Sequence, residues 1–189
     1  LALLAGGLAA LTPALAAPWP RHVIDNSSKG ADGVRLVDVN GDGRLDLTTG
    51  WEEGGQVRVY LNPGYSRSRE KWPAVTVGAA PSVEDAVLVD LDGDGAFDVV
   101  SCTEGTTRTV FVHWAPPERG RFLEPAAWTT AAFPALQGKA MWMFAVPGQL
   151  DGRHGVDLAI VSKSRQPGDG VIGWMESPAN PRDLAAWRW

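Results

Sequence analysis

Two short segments of the sequence carry the same spacing of oxygen-bearing side chains. Each is nine residues long and places Asp or Asn at positions 1, 3, 5 and 9. A hard cation such as Ca²⁺ takes about six to eight oxygen ligands at roughly 2.4 Å, and backbone carbonyls contribute as well as carboxylates. With the position 7 carbonyl added, the spacing predicts two calcium sites, at Asp38, Asn40, Asp42, Arg44 and Asp46, and at Asp90, Asp92, Asp94, Ala96 and Asp98.

The residues in and after these segments argue against a calcium loop flanked by helices. Gly43 and Gly95 permit the sharp turn that a side chain would block. An EF-hand also requires a bidentate acid at position 12, where this sequence has Thr49 and Ser101. The flanking segments read as strands, so EF-hand and dockerin-type sites are excluded.

A third segment follows the same spacing but departs from it at positions 1 and 5. Positions 1, 3, 5 and 9 are Gln149, Asp151, Arg153 and Asp157. Arg153 puts a cation where a ligand is needed, so we expect no metal here. We expect its guanidinium to replace the charge of the ion by pairing with Asp151 or Asp157.

The three segments belong to internal repeats, which align over residues 34–50, 87–102 and 147–162. Their position 9 aspartates are spaced 52 and 59 residues apart. Each repeat contains four short β-branched or alternating runs between turn signals, in the first at residues 34–38, 46–50, 57–61 and 72–77. Four strands in that length form one blade of a β-propeller. The sequence thus predicts an all-β fold with blades at about 33–78, 85–133 and 141–189.

This pattern resembles the FG-GAP or VCBS-type repeats of integrin-like proteins across residues 19–189. The resemblance implies a calcium-binding β-propeller in which the loop between the first and second strand of a blade holds the ion. It also implies a ring of seven blades, of which three are found here. Residues 19–25 match the run that ends each repeat, with Trp19 in the place of Trp72. We therefore expect an orphan outer strand and an N-terminal fragment of a larger ring.

Composition and the first residues suggest where such a protein works. Residues 1–17 are apolar and end in small residues, as in a secretory signal peptide that lacks its start, whereas Gly6, Gly7 and Pro13 argue against a membrane anchor. We expect a mature chain of residues 18–189 without a membrane span, located outside the cytoplasm in the periplasm, at the cell surface or secreted. A net charge of -5 argues against a nucleic-acid partner. Cys102 is the single cysteine and reads as a buried apolar residue.

A second candidate site lies on the face of the propeller opposite the calcium loops. Turns before the first strand of a blade, and turns after the second, come out together there because consecutive strands are antiparallel. Their charged residues would ring the mouth of the central channel: Asp32, Glu52, Glu84, Asp85, Glu104 and Lys139. Trp51, next to Glu52, would suit stacking on a sugar if it were exposed. Two interpretations stay open: these are solvated turn residues, or they form a ligand site for a carbohydrate or a protein.

Two classes of function fit these features. The first is a secreted binding or scaffold module in which calcium is structural. The alternative is a carbohydrate-active propeller enzyme, a lyase or hydrolase, with its carboxylates on the channel face. The sequence contains no nucleophile elbow, phosphate loop, zinc spacing or Cys–His pair, so no residue is assigned to catalysis.

Overall fold

The computed structural model describes residues 19–164, 166 and 170–189. The predicted signal peptide, residues 1–17, lies outside the described residues. Within them, eleven strands form three antiparallel sheets, and the only helical elements are two short 3-10 turns, Arg119–Arg121 and Pro125–Ala127. The described chain is all-β, as predicted. No helix in this part of the chain is long and apolar enough to cross a membrane.

Each sheet is one blade, with its strands in sequence order. Blade 1 consists of β1 (Ala31–Val37), β2 (Asp46–Trp51), β3 (Gln56–Tyr60) and β4 (Ala74–Ala79). Blade 2 consists of β5 (Val83–Val89), β6 (Asp98–Thr103), β7 (Val110–Trp114) and β8 (Thr129–Ala132). Blade 3 consists of β9 (Met141–Gly148), β10 (Asp157–Lys163) and β11 (Ile172–Met175). In blade 3 the predicted fourth strand is reduced to an isolated bridge between Glu176 and Arg188.

The tryptophan that was predicted to begin each fourth strand instead closes the loop before it. Strand β4 begins at Ala74 and β8 at Thr129, just after Trp72 and Trp128. In each blade the indole N–H donates to a carbonyl of the preceding loop: Trp72 to Ser68 (3.1 Å), Trp128 to Phe122 (2.8 Å) and Trp187 to Pro181 (2.9 Å). The repeated tryptophans therefore fix the long loop between the third and fourth strands.

Two apolar cores lie between the blades. Strand β6 contributes to both because its side chains alternate: Val99 packs into the core shared with blade 1 and Val100 into the core shared with blade 3. Every residue of β6 is buried, as is expected for a strand covered on both faces. The inner strands β1, β5 and β9 lie side by side, which is the arrangement of strands around a propeller channel.

The first strand of blade 1 is more exposed than the sequence suggests. Val34 and Leu36 of β1 are 59 % and 53 % exposed, because no other described sheet covers that side of blade 1. Phe144 and Val146 of β9 are exposed in the same way on blade 3. In contrast, β5 has a neighbouring blade on each side and is buried along nearly its whole length.

Residues 19–25, predicted as an outer strand, form no strand in the structure. The segment lies against blade 1, where Asp25 accepts hydrogen bonds from Arg58 (2.6 Å) and Tyr60 (3.0 Å). The backbone N–H of Trp72 also donates a hydrogen bond to the Ile24 carbonyl at 3.4 Å. That these residues complete another blade stays a prediction.

Candidate functional site

The two predicted calcium loops join the first and second strands of blades 1 and 2. In each, the position 1 carboxylate organises the backbone. Asp38 accepts the N–H groups of Gly41 and Gly43, both at 2.8 Å. Asp90 does the same for Gly93 at 2.9 Å and Gly95 at 3.1 Å. All four glycines have φ between 74° and 87°, a backbone conformation that other residues rarely adopt. The sequence therefore builds a tight loop around one carboxylate.

Three carboxylates converge in the second loop. One oxygen each of Asp90, Asp92 and Asp94 lies within 4.8 Å of the others. Two oxygens on opposite sides of an ion with bonds of about 2.4 Å are separated by about 4.8 Å, so this spacing fits calcium. Like charges this close repel one another, and a bound cation would remove that repulsion. The donor set in the second loop is thus suited to a hard divalent cation.

The first loop has a weaker donor set. Asn40 replaces one carboxylate, and its amide donates to Asp42 at 3.1 Å. The Arg44 guanidinium pairs with the same carboxylate, and Arg119 of blade 2 donates to the Asn40 carbonyl at 3.0 Å. With one anion fewer and a cation of its own, this loop should hold calcium less tightly than the second.

The position 9 aspartates have a different environment from the other predicted ligands. Asp46 and Asp98 are buried, and both oxygens of each accept backbone N–H groups. One donor is the position 2 residue and the other follows the third strand of the blade. Asp157 in blade 3 makes the same two bonds, to Leu150 (2.8 Å) and Ser177 (2.9 Å). This aspartate therefore ties the loop to the third strand in all three blades.

Burial also changes the chemistry of Asp98. Its pKa is raised to about 7, chiefly by burial and further by the charges of Asp92 and Asp94, although its two N–H donors act in the opposite direction. Asp98 is not among the three convergent carboxylates. Its assignment as a ligand stays a prediction, whereas its hydrogen bonds define a structural role.

The third loop is held by a different set of side chains from the first two. The Gln149 amide oxygen accepts the N–H groups of Asp151 (3.1 Å) and Gly152 (2.8 Å), as a position 1 carboxylate would. Arg153 pairs with Asp151 at 2.8 Å, as the sequence predicts, and with Glu176 at 2.8 Å. An amide and a guanidinium therefore hold this loop in place of a carboxylate and a cation.

A family model described as FG-GAP-like repeat matches residues 38–101. The chain carries an FG-GAP-like repeat. The matched segment begins at the first carboxylate of the first loop and ends inside β6, so it contains both candidate calcium loops. FG-GAP repeats form propellers, which agrees with the three blades. No curated protein matches the chain.

On the channel face, the structure brings together three of the six predicted residues. Carboxylate oxygens of Glu52, Glu84 and Glu104 lie within 4.8 Å of one another. Lys163 of blade 3 pairs with Glu104 and lies 3.9 Å from Glu84. Burial, and then the charge of Glu104, raise the pKa of Glu84 to about 7. The hydrogen bond with Glu104 raises the pKa of Lys163. This cluster contains residues of three blades, and the positive charge of Lys163 offsets part of the negative charge of the glutamates.

The other three predicted residues lie apart from this cluster. Asp85 belongs to β5, not to a turn, and is 1 % exposed. It accepts hydrogen bonds from Arg35 of β1 (3.0 Å) and from the Ala145 N–H of β9 (3.4 Å), so it ties the inner strands together. Asp32 is an exposed residue of β1. Lys139 lies in the turn before β9 and lines a cavity with Glu104.

Trp51 does not face a ligand site. It ends β2, is buried, and donates its indole N–H to the Tyr60 hydroxyl at 2.9 Å. The expectation that it could stack on a sugar is therefore wrong. Strand β2 ends at Trp51, one residue beyond the predicted end at Gly50, so Trp51 lies in the strand and not in the turn that follows it.

A buried histidine lies between two hydroxyls in blade 2. His113 is 2.9 Å from Ser101 and 2.8 Å from Thr130. The ring is fully buried, which lowers its pKa to about 3, so it is neutral. Its two hydrogen bonds join β6, β7 and β8 within blade 2. Cys102 is likewise buried, as predicted.

Sequence reasoning missed one cation at the second calcium loop. Arg182, in the loop that follows β11 of blade 3, pairs with Asp92 and lies 3.6 Å from Asp94. Its guanidinium also lies 4.6 Å from the centre of the Trp114 ring. The contact joins residues that are 90 positions apart. Nothing in the local sequence indicates such a pair, since it depends on how blades 2 and 3 are placed side by side.

Proposed function

We propose that this protein is a calcium-stabilised β-propeller module that works outside the cytoplasm and binds a carbohydrate or a protein. The observation that supports calcium most directly is the convergence of Asp90, Asp92 and Asp94 in a loop whose backbone is folded around Asp90. Bound calcium would neutralise these carboxylates. The first loop repeats the arrangement with an amide in place of one acid.

In this proposal calcium acts on stability and not on chemistry. Asp90 fixes the loop through the N–H groups of Gly93 and Gly95. One oxygen each of Asp92 and Asp94 accepts a backbone N–H, at 3.1 and 2.8 Å. The second oxygen of each faces Arg182. The loop thus presents acidic oxygens that require a cation, either calcium or the guanidinium.

The location outside the cytoplasm rests on residues 1–17 and on the chemistry of calcium. An apolar segment ending in small residues is typical of an export signal. Calcium sites of low affinity, which are filled only at high calcium, are also typical of extracellular modules. Fractionation of cells that express the complete reading frame would test the location, and retention of the protein in the cytoplasm would contradict it.

One observation favours the alternative, an enzyme that acts on carbohydrate. Glu84, with a pKa of about 7, lies beside Glu104 and Lys163 on the channel face. A carboxyl that titrates near neutral pH can donate and accept a proton, which lyase and hydrolase chemistry requires. Glu84→Gln would then abolish turnover of a polysaccharide while the protein stays folded. Absence of turnover in the parent would reject the enzyme, and unchanged turnover in the variant would reject Glu84 as its acid or base.

The calcium proposal can be tested by comparing a carboxylate of the second loop with a carboxylate of the third. Asp94→Asn in blade 2 removes one of three convergent carboxylates. Asp151→Asn in blade 3 makes the same chemical change in a loop closed by Gln149 and Arg153. Calorimetric titration of the complete, decalcified protein with CaCl₂ should show a site that is lost in Asp94→Asn and kept in Asp151→Asn. Equal binding by the two variants would contradict the proposal.

A further inference from the structure

A cavity opens between blades 2 and 3 at their channel-face turns. Its volume is about 700 Å³, within the range of about 300–1,000 Å³ that is usual for sites holding small organic ligands. Three basic residues from three different turns and strand ends line it, together with one acid: Arg108, Lys139, Lys163 and Glu104. Ala140 and Met141 give it an apolar part.

The basic residues of this cavity are not equally neutralised. Lys163 pairs with Glu104 and lies close to Glu84. In contrast, no carboxylate of the described residues lies within 4.0 Å of the charged groups of Arg108 or Lys139. Among the described residues, Arg108 and Lys139 are thus two cations of one cavity that no carboxylate pairs with, whereas Glu104 adds a negative charge that Lys163 offsets. Two such cations favour an oxyanion as the ligand.

The walls of the cavity are held in place before any ligand arrives. The Gly138 N–H donates to the Arg108 carbonyl at 2.8 Å, which joins the turn of Lys139 to the turn of Arg108. Trp142, which is buried, donates its indole N–H to the Leu136 carbonyl at 2.9 Å and fixes the other end of the same turn. Turns that are fixed before binding lose little backbone conformational entropy when a ligand binds.

The backbone of Arg108 is also unusual. Its φ is 45°, in the left-handed region that residues other than glycine seldom occupy. Its side chain is held by a hydrogen bond from Nε to the Gly105 carbonyl at 3.1 Å. Within the described residues, the guanidinium makes no further hydrogen bond. Backbone conformations of this kind cost free energy and occur often where a residue serves a site.

We propose that this cavity binds an acidic oligosaccharide, with one carboxylate or sulfate group of the sugar held between Arg108 and Lys139. The inference deepens the proposed function, since it names the ligand class of the channel face. Arg offers a planar pair of donors and Lys a point charge, and both suit an oxyanion. Glu104 can accept hydrogen bonds from sugar hydroxyls, and Ala140 and Met141 can contact the apolar side of a ring.

The test uses the complete protein in saturating calcium. Binding of a galacturonic acid trisaccharide, a sulfated disaccharide, a neutral trisaccharide and inorganic sulfate is measured by calorimetry at low and at physiological salt. We expect one of the two acidic sugars to bind, which also identifies the anionic group, and binding to weaken as salt is added. Binding of the neutral sugar as tight as that of the acidic sugars, or equal binding of inorganic sulfate, would overturn the proposal.

Matched variants then locate the site. Arg108→Gln with Lys139→Gln should weaken binding at least tenfold. Arg69→Gln with Lys71→Gln removes the same charge from exposed positions of blade 1 and should leave binding unchanged. Equal loss in both pairs would overturn the proposal. Because the calcium-dependent change in melting temperature is measured on the same samples, failure of the sugar site and failure of the calcium loops are separate results.

Discussion

The position 9 aspartates show how one residue can serve both folding and a metal loop. Asp46, Asp98 and Asp157 each accept two backbone N–H groups, and they do so whether or not the loop carries a carboxylate cluster. Position 9 was predicted from the sequence as a ligand because it completes an oxygen pattern. The sequence could not separate ligation from hydrogen bonding, since an aspartate oxygen suits both.

Asp157→Asn should therefore destabilise the protein independently of calcium. The amide keeps one acceptor oxygen and turns an NH₂ group toward an N–H donor, so one buried N–H loses its partner. The expected loss is about 1–3 kcal/mol in the free energy of unfolding. Urea denaturation in calcium and in chelator should give the same loss, and a loss seen only in calcium would contradict this role.

Glu84 should make stability depend on pH. A carboxyl whose pKa rises from 4.5 to about 7 on folding binds its proton more tightly in the folded protein. The folded state is then favoured at low pH, and this contribution is lost as pH rises from about 4.5 to about 7. Glu84→Gln should remove that loss and stabilise the protein at pH 8 by about 1 kcal/mol, since Lys163 offsets part of the repulsion.

Urea denaturation at pH 5 and pH 8 checks this expectation. Glu70→Gln, which removes an exposed carboxylate in blade 1, serves as the control for loss of a surface charge. If Glu84→Gln instead destabilises the protein at pH 8, the ionised Glu84 stabilises the fold through Lys163, and its pKa is not raised by folding.

At the scale of elements, the loop that follows the third strand of a blade contacts the candidate calcium loop of the preceding blade. Arg182 of blade 3 contacts the second calcium loop, and Arg119 of blade 2 contacts the first. Arg182 binds carboxylates, whereas Arg119 binds a carbonyl. The guanidinium of Arg182 would therefore compete with a bound calcium ion for Asp92, whereas that of Arg119 would not compete for a carboxylate.

Arg182→Gln should consequently strengthen calcium binding at the second loop. Removal of a surface ion pair worth about 0.5–1 kcal/mol corresponds to about two- to fivefold tighter binding. Calorimetry with CaCl₂ measures the change, and Arg119→Gln is the matched control, with no gain expected. The same variant should melt earlier than the parent in chelator. Weaker calcium binding in Arg182→Gln would mean that the arginine positions Asp92 for the ion.

The order of strands within a blade was accessible from the sequence, but details of the outer strands were not. The turns and the period-2 runs predict the four strands of blade 1 to within a few residues. Trp72 and Trp128 were placed inside the fourth strands because they recur at the same point of the repeat. Their indole hydrogen bonds to loop carbonyls depend on how the loop folds back on itself, which the spacing of residues in the sequence does not predict.

At the scale of the whole molecule, two sheet faces remain uncovered in the described chain. Val34 and Leu36 are exposed on blade 1, and Phe144 and Val146 on blade 3. Blades of a propeller are stabilised by their neighbours, as in other repeat proteins. The contacts on the channel face also depend on neighbouring blades. The sequence could not predict which charged turn residues lie together, because the turns come from different blades.

Residues 18–189 expressed alone should therefore self-associate. Val34→Thr with Leu36→Thr should reduce the association by making one open face polar. Tyr65→Thr with Leu123→Thr alters exposed residues in loops and should leave it unchanged. Size-exclusion chromatography with light scattering gives the masses. A monomer with a single cooperative melting transition would contradict the expectation.

The central claim is that calcium stabilises this propeller through the loops of blades 1 and 2. Melting of the complete protein, once with CaCl₂ at about 100 times the dissociation constant and once in chelator, tests it most directly. Each filled site should add about 2.7 kcal/mol, a large share of the roughly 5–15 kcal/mol that is typical of folded domains. We expect a midpoint several degrees higher in calcium, and a smaller rise in Asp94→Asn. An identical midpoint in calcium and in chelator would contradict the account.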